Sequence, residues 1–198
     1  QGELEKEFLK HFHNINTIHY GNIIADTYYF SLNNSFSHLE NKLNKIKKQY
    51  FKDYKNHKIL SIFSEDEIMV IGSLIEKEGL DYYDKKNISS VIFNRLSKNM
   101  KLQIDATVIY AITDGNYNLK RELLIKDLSI NHPFNTYQIY GLPPKPISYV
   151  GRKTLDLIFE NHKTDFLFYF FNNSLNRHIF SKTFEEHKLK LNEYRSIK

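Results

Sequence analysis

The chain has 198 residues, of which 41% are hydrophobic and 15% aromatic; that is enough for one domain of ordinary size and too apolar for wholesale disorder. With 28 Lys and Arg against 23 Asp and Glu, the net charge of +5 favours anionic partners such as nucleic acid, acidic lipid headgroups or anionic cell-wall polymer. Cysteine is absent, which excludes disulfides, thiol catalysis and Cys-based zinc sites, and no apolar run approaches a membrane span.

The chain begins at Gln1 without methionine, as expected of a processed or trimmed product whose signal or anchor lies upstream. Leu4, Phe8, Leu9 and Phe12 have helical spacing, and Ile23–Phe30 reads as a strand or extended segment. Asn33-Asn34 marks a turn. Ser37 and Glu40 form a capping box that opens a helix running to about Tyr54. Its apolar stripe is Leu39, Leu43, Ile46, Tyr50 and Tyr54; Lys42, Lys45, Lys47 and Lys48 line the other face, which is more often solvated than binding. The polar run Asp53–Lys58 is the linker candidate, dividing an N-terminal accessory segment, 1–58, from a main domain, 59–198.

Ser64–Gly79 carries its own start and stop signals. Ser64 and Glu67 make a second capping box, Glu65, Asp66 and Glu67 complement the helix dipole, and Gly79 reads as a left-handed stop. Ile68, Met69, Val70, Ile71, Leu74 and Ile75 leave almost no polar face, so this helix belongs in the interior. Glu76 sits in its last turn, with the small residues Gly72 and Ser73 one turn back and room for a cleft above. Burial and the helix C-terminus both push a carboxyl there upward, toward a general acid. The bland reading makes Glu76 a boundary residue paired with a cation. Glu78 faces elsewhere and is expected in solvent or a salt bridge.

Asp81–Lys86 reads as loop, and Asn87 as the cap of a helix over Ile88–Asn99. Lys101–Asp105 alternates like a short strand with Gln103 and Asp105 on its polar face, and Asp105 is placed to cap the helical turn that follows. His132–Ile147 is loop, stiffened by three prolines within Pro143–Pro146. Gly151–Asn161 reads as helix, and Asp165–Phe171 with His178–Ser181 as a hairpin. Thr183 and Glu186 open a C-terminal helix whose stripe is Phe184, His187, Leu191 and Tyr194; a histidine there is more often a core residue than a ligand. The whole predicts an α+β fold, with helices around a small, mainly antiparallel sheet.

Five blocks carry a resemblance: S-L-I-E-K-E at 73–78, V-I-F-N-R-L at 91–96, L-Q-I-D-A-T-V-I-Y at 102–110, N-T-Y-x-I-x-G-L-P-P-x-P-I at 135–147 and H-x-F-S…H at 178–187. In order and spacing they resemble the endolytic murein transglycosylase family, also called MltG or YceG-like, and A-D-T-Y-Y-F at 25–30 resembles its P-D-T-Y block. Ile104 and Ala106 depart from the small hydroxyl residue and the proline usual there, and the LysM-like N-terminal part is only partly present. The resemblance implies a bacterial enzyme at the periplasmic face of the inner membrane, anchored by a single-pass helix upstream. It would cut the β-1,4 bond between N-acetylmuramic acid and N-acetylglucosamine, leave 1,6-anhydro ends, and work beside the cell-wall synthesis machinery without metal or cofactor. It maps the catalytic glutamate onto Glu76 and makes Asn94, Gln103, Asp105, Tyr110, Asn135, Tyr137, Ser181 and His187 substrate-binding candidates. The alternatives are a lysozyme-like hydrolase with Asp105 as second carboxylate, or a non-catalytic glycan-binding module. Nucleic acid is disfavoured, since no binding motif accompanies the charge.

Overall fold

The computed structural model describes residues 20–29 and 36–196; the helical spacing at Leu4–Phe12 and the turn at Asn33-Asn34 lie outside them. The organising element is helix α2, Glu65–Glu78, numbered after α1, Phe36–Asp53. The capping box forms as read: Glu67 N donates to Ser64 Oγ at 3.3 Å and Ser64 N to Glu67 Oε2 at 2.8 Å. Every residue from Ile68 to Ile75 is buried, so the helix runs through the interior.

Around it pack α3 (Tyr82–Ser97), α4 (Asp105–Thr113) and α5 (Arg152–Phe159). Helix α3 starts earlier than Asn87, because Asp81 caps it by accepting from Asp84 N at 2.9 Å. Two short strands, β1 (Ile24–Ala25) and β2 (Val150–Gly151), pair in parallel, Ile24 opposite Val150. Strand β2 lies directly on α2. A Cβ built at Gly72 would sit 2.5 Å from Val150 Cγ1, so glycine is what lets helix and strand meet. Gly72→Ala is therefore expected to destabilise by about 1–3 kcal/mol despite alanine's better helix propensity. A denaturant midpoint equal to or above wild type would show that α2 and β2 do not pack this closely.

The C-terminal part is an antiparallel hairpin, β3 (Phe168–Asn172) with β4 (Arg177–Ser181), followed by α6 (Phe184–Ser196). The side chains alternate. Phe168 and Phe170 meet His187 of α6, whereas Tyr169 packs with His178 and Phe180 and adds to the main core. The α+β expectation holds, with the hairpin at the expected place. The strand expected over 101–105 is absent: Gln103 takes a left-handed φ of 51°, which no regular strand tolerates.

Helix α1 packs into the same core across the boundary expected at 58. Tyr50 and Phe51 are buried there, Tyr54 stacks on Phe159 with centroids 4.0 Å apart, and Tyr50 Oη donates to Asp156 at 2.8 Å. Ile23, Leu39 and Leu43 form a smaller cluster with Tyr28 and Tyr149.

Candidate active site

Glu76 and Glu78 both lie in the last turn of α2, two residues apart and therefore on different faces. Glu76 turns toward the start of α5. Its Oε1 accepts from Gly151 N at 3.0 Å, Oε2 pairs with Lys85 Nζ, and Thr154 supplies a further hydrogen bond. Burial works to raise its pKa, but the bonds from Lys85, Thr154 and the Gly151 amide outweigh it, and the net shift is downward. That is the opposite of the sequence expectation. The space left by Gly72 and Ser73 is not a cleft either. Val150 fills it, Ile147 N donates to Ser73 Oγ at 3.1 Å, and Ser148 Oγ donates to Ser73 O at 3.1 Å. Gly79 ends the helix with φ −84°, not left-handed. Glycine is required there for another reason: a Cβ would lie 2.2 Å from Lys85 Cγ, so its absence lets Lys85 cross the helix end to Glu76. Glu76 is a latch between α2, α3 and α5, held ionised.

Glu78 turns the other way, toward α4 and the hairpin; it is half-buried and, among the described residues, has no lysine or arginine partner. The Tyr169 hydroxyl donates to its Oε2 at 3.0 Å, and the Ala106 N–H at the start of α4 also reaches the carboxylate. Crowding by protein atoms and the nearby Asp105 charge push its pKa up, more than Tyr169, His178 and the Ala106 N–H pull it down. Asp105 is exposed and is the first residue of α4, not its cap, which is Ile104. Its Oδ1 accepts from Tyr137 Oη at 2.6 Å, and burial with this contact raises the Tyr137 hydroxyl. Together, Glu78, Asp105, Tyr137 and Tyr169 form a set of hydroxyls and carboxylates apart from the Glu76 latch; Glu78 and Tyr169 are not among the site residues expected from the sequence.

Arg95 and Gln103 frame this set. Arg95 is buried and has no carboxylate partner among the described residues; Nε donates to Leu167 O at 2.6 Å and Nη1 to Leu102 O at 2.7 Å. It thereby ties α3 both to the start of β3 and to the segment that leads into Asp105. The same nitrogen reaches Gln103 Oε1 at 3.5 Å, while Gln103 N donates to Thr136 O at 3.1 Å. Behind Glu78, His178 Nδ1 bonds Asp84 Oδ2 at 2.8 Å, and that oxygen also accepts from Leu80 N at 3.0 Å. This contact pins the segment just after Glu78 to the hairpin.

Of the other predicted sugar-binding residues, three are held by contacts elsewhere. Asn94 Nδ2 donates to Thr164 O at 2.8 Å and Phe166 O at 2.9 Å. Asn135 is fully buried, donating to Leu128 O at 3.1 Å and Ile130 O at 2.8 Å while accepting from Tyr137 N at 3.0 Å. Tyr110 packs on Phe134 with centroids 4.6 Å apart. Ser181 is fully buried opposite Phe168, on the hairpin face away from Tyr169. His187 lies on that same face against Phe168, and burial lowers its pKa. Ser181 Oγ and His187 Nδ1 lack a hydrogen-bond partner among the described residues. These five lie in the framework; of the predicted residues Asp105 and Tyr137 are the ones that act on Glu78, and Gln103 stands behind them against Arg95 and Thr136. Among the described residues no cluster of His, Asp and Glu is arranged to hold a metal ion.

Comparison with known proteins gives the same family as the sequence blocks. The model of the YceG-like family matches residues 2–193. An endolytic murein transglycosylase of Bacillus subtilis is 38% identical over 149 residues, which cover 75% of this chain and 40% of that protein. One from Streptococcus pneumoniae serotype 2 is 33% identical over 106 residues, covering 52% of this chain and 19% of the relative. The chain thus spans less than half the length of these curated relatives. A crystal structure from Listeria monocytogenes, of a protein described as yceG-like, superposes with a TM-score of 0.73 at 33% identity, covering 86% of this chain and 54% of that one.

Proposed function

The chain belongs to the YceG-like family, and on that premise we propose that it cuts peptidoglycan glycan strands endolytically at the β-1,4 bond between N-acetylmuramic acid and N-acetylglucosamine, leaving 1,6-anhydro ends. The curated relatives named endolytic murein transglycosylases support the reaction class. The observation that carries the mechanism is the opposite treatment of the two glutamates: Glu78 is held toward its neutral form and Glu76 toward its charged form. A general acid must carry a proton at working pH, so the acid in this reading is Glu78.

Protonated Glu78 gives its proton to the glycosidic oxygen as the bond to C1 breaks and the sugar ring takes on oxocarbenium character. The Glu78 carboxylate left behind accepts from Tyr169 and the Ala106 N–H, which steady its charge. It then takes the proton of the muramoyl 6-hydroxyl, whose oxygen attacks C1 and closes the anhydro ring. Glu78 returns to its starting state, and no water is consumed.

Asp105 beside Glu78 favours a second reading, a hydrolase with two carboxylates. Mass spectrometry of products from purified sacculi separates the two. The transglycosylase leaves muropeptides one water lighter than a lysozyme's from the same strands; reducing muramic acid ends as the main product would install the hydrolase instead. The setting that goes with the first reading is the periplasmic face of the inner membrane, with a membrane anchor outside this chain. Among the described residues no helix is long and apolar enough to cross a membrane.

A further inference from the structure

We infer that His178 is a positioning residue: through Asp84 it clamps the hairpin to the turn after Glu78, and so holds the Tyr169 hydroxyl on the Glu78 carboxyl. This rests on the reading of Glu78 as the acid.

The clamp joins two elements far apart in sequence. His178 Nδ1 of β4 and Asp84 Oδ2 of α3 meet at 2.8 Å, with 7% and 10% of their side chains exposed. A carboxylate can only accept, so Nδ1 of His178 is the donor. Asp84 closes the turn between α2 and α3 at the same time. Its Oδ2 accepts from Leu80 N at 3.0 Å, and its own N donates to Asp81 Oδ1 at 2.9 Å. The His178 ring also packs against Phe171, centroids 5.2 Å apart, which leaves it little room to turn.

The register of the hairpin makes this pair a lever on Glu78. Tyr169 lies opposite Phe180 and His178 opposite Phe171, and side chains alternate along each strand, so Tyr169 and His178 share one face. Their rings meet edge to face, 5.3 Å apart at 88°. Each carries a polar group to one side of the α2–α3 turn. Tyr169 Oη reaches Glu78 Oε2 at 3.0 Å, in the last turn of α2, and His178 reaches Asp84, in the first turn of α3. The hairpin therefore grips that turn at two points. One bond from Tyr169 alone would let the hairpin pivot about Glu78. The second fixes the angle between them, and with it the direction in which the Glu78 carboxyl faces.

Kinetics of glycan-strand cleavage by variants of this chain, with kcat and KM resolved separately, test the role. His178→Phe keeps a ring against Tyr169 and Phe171 but has no nitrogen. His178→Asn loses the ring but keeps an N–H donor as many bonds from Cβ as Nδ1 is. Asp84→Ala removes the clamp from the other side, and Tyr169→Phe removes the contact through which it acts. His178→Phe, Asp84→Ala and Tyr169→Phe should each lower kcat by about 10- to 100-fold, the scale of a misplacement of about an ångström, with KM little changed. His178→Asn should recover most of that loss. The double variant of His178→Phe with Tyr169→Phe should be no slower than Tyr169→Phe alone, because the clamp works through that hydroxyl. Losses that multiply in the double variant, or a His178→Asn as slow as His178→Phe, would overturn the inference and leave His178 a packing residue. Wild-type kcat in Asp84→Ala would overturn it as well. Should His178→Phe not fold, Asp84→Ala combined with Tyr169→Phe makes the same comparison from α3. Glu78→Gln, assayed beside them, separates the two levels. If it is inactive while the clamp variants keep wild-type kcat, the acid assignment stands and the clamp falls; if it cleaves at the wild-type rate, the acid assignment falls and the clamp with it.

Discussion

Glu78→Gln is expected to abolish cleavage, by about 10²–10⁴-fold or more, while the protein folds as before. Glutamine keeps the shape of the side chain and can still accept from Tyr169, but it has no proton to give. The variant should also melt no lower than wild type at neutral pH. A carboxyl whose folded pKa is raised is paid for by the fold once pH exceeds the unfolded value near 4.5, because the unfolded chain ionises freely and the folded one does not. Below that value both states hold the proton and the penalty vanishes. Replacing Glu78 by a neutral amide removes the penalty, so any gain in melting temperature should appear above about pH 4.5 and grow through the raised folded pKa. An activity lost together with the fold would mean that Glu78 is structural. Cleavage near wild-type rate in a well-folded Glu78→Gln would return the acid role to another group.

How far the sequence reveals this arrangement depends on the element. The capping box at Ser64 and Glu67, the buried run behind it and the hairpin of β3 and β4 were all legible, because each rests on local spacing. The choice between Glu76 and Glu78 was not. A helix apolar on every side has no moment to say which carboxylate faces inward to a site and which outward to a partner. A faint signal exists: Glu78 lies three, four and seven residues after Ile75, Leu74 and Ile71, all fully buried. The decisive contacts are long-range. Tyr169 of β3 reaches Glu78, and Gly151 with Lys85 claims Glu76. The turn at Gln103 was missed for a related reason, since its left-handed backbone is held by Thr136 and by the Arg95 bonds to the preceding carbonyls. Alternation alone reads as a strand there.

Glu76→Gln is the converse experiment, and its effect should fall on stability. The Glu76–Lys85 pair is about one-fifth exposed, at 22% and 20% of the side chains. Removing one member leaves the Lys85 ammonium half-desolvated beside the N-terminus of α5, where the helix dipole already disfavours a cation. Breaking a fully buried pair costs about 3–5 kcal/mol, and the partial exposure here brings the expected loss to about 2–3 kcal/mol. For a chain of this size that lowers the melting temperature by on the order of 5–10 °C. The pH dependence has the sign of a depressed carboxyl. The contribution of Glu76 is fully present above the ordinary value of 4.5 and is lost as pH falls through the lower folded pKa, so the gap between wild type and variant should be widest near neutrality and close in acid. Lys85→Met alone should also destabilise, by leaving an uncompensated carboxylate, although the Gly151 and Thr154 bonds soften that loss. The double variant should recover much of the stability, since a pair replaced as a whole leaves no stranded charge. Strictly additive losses would show that the two side chains do not interact. Full activity loss in Glu76→Gln with an unchanged melting curve would show that it does the chemistry assigned to Glu78.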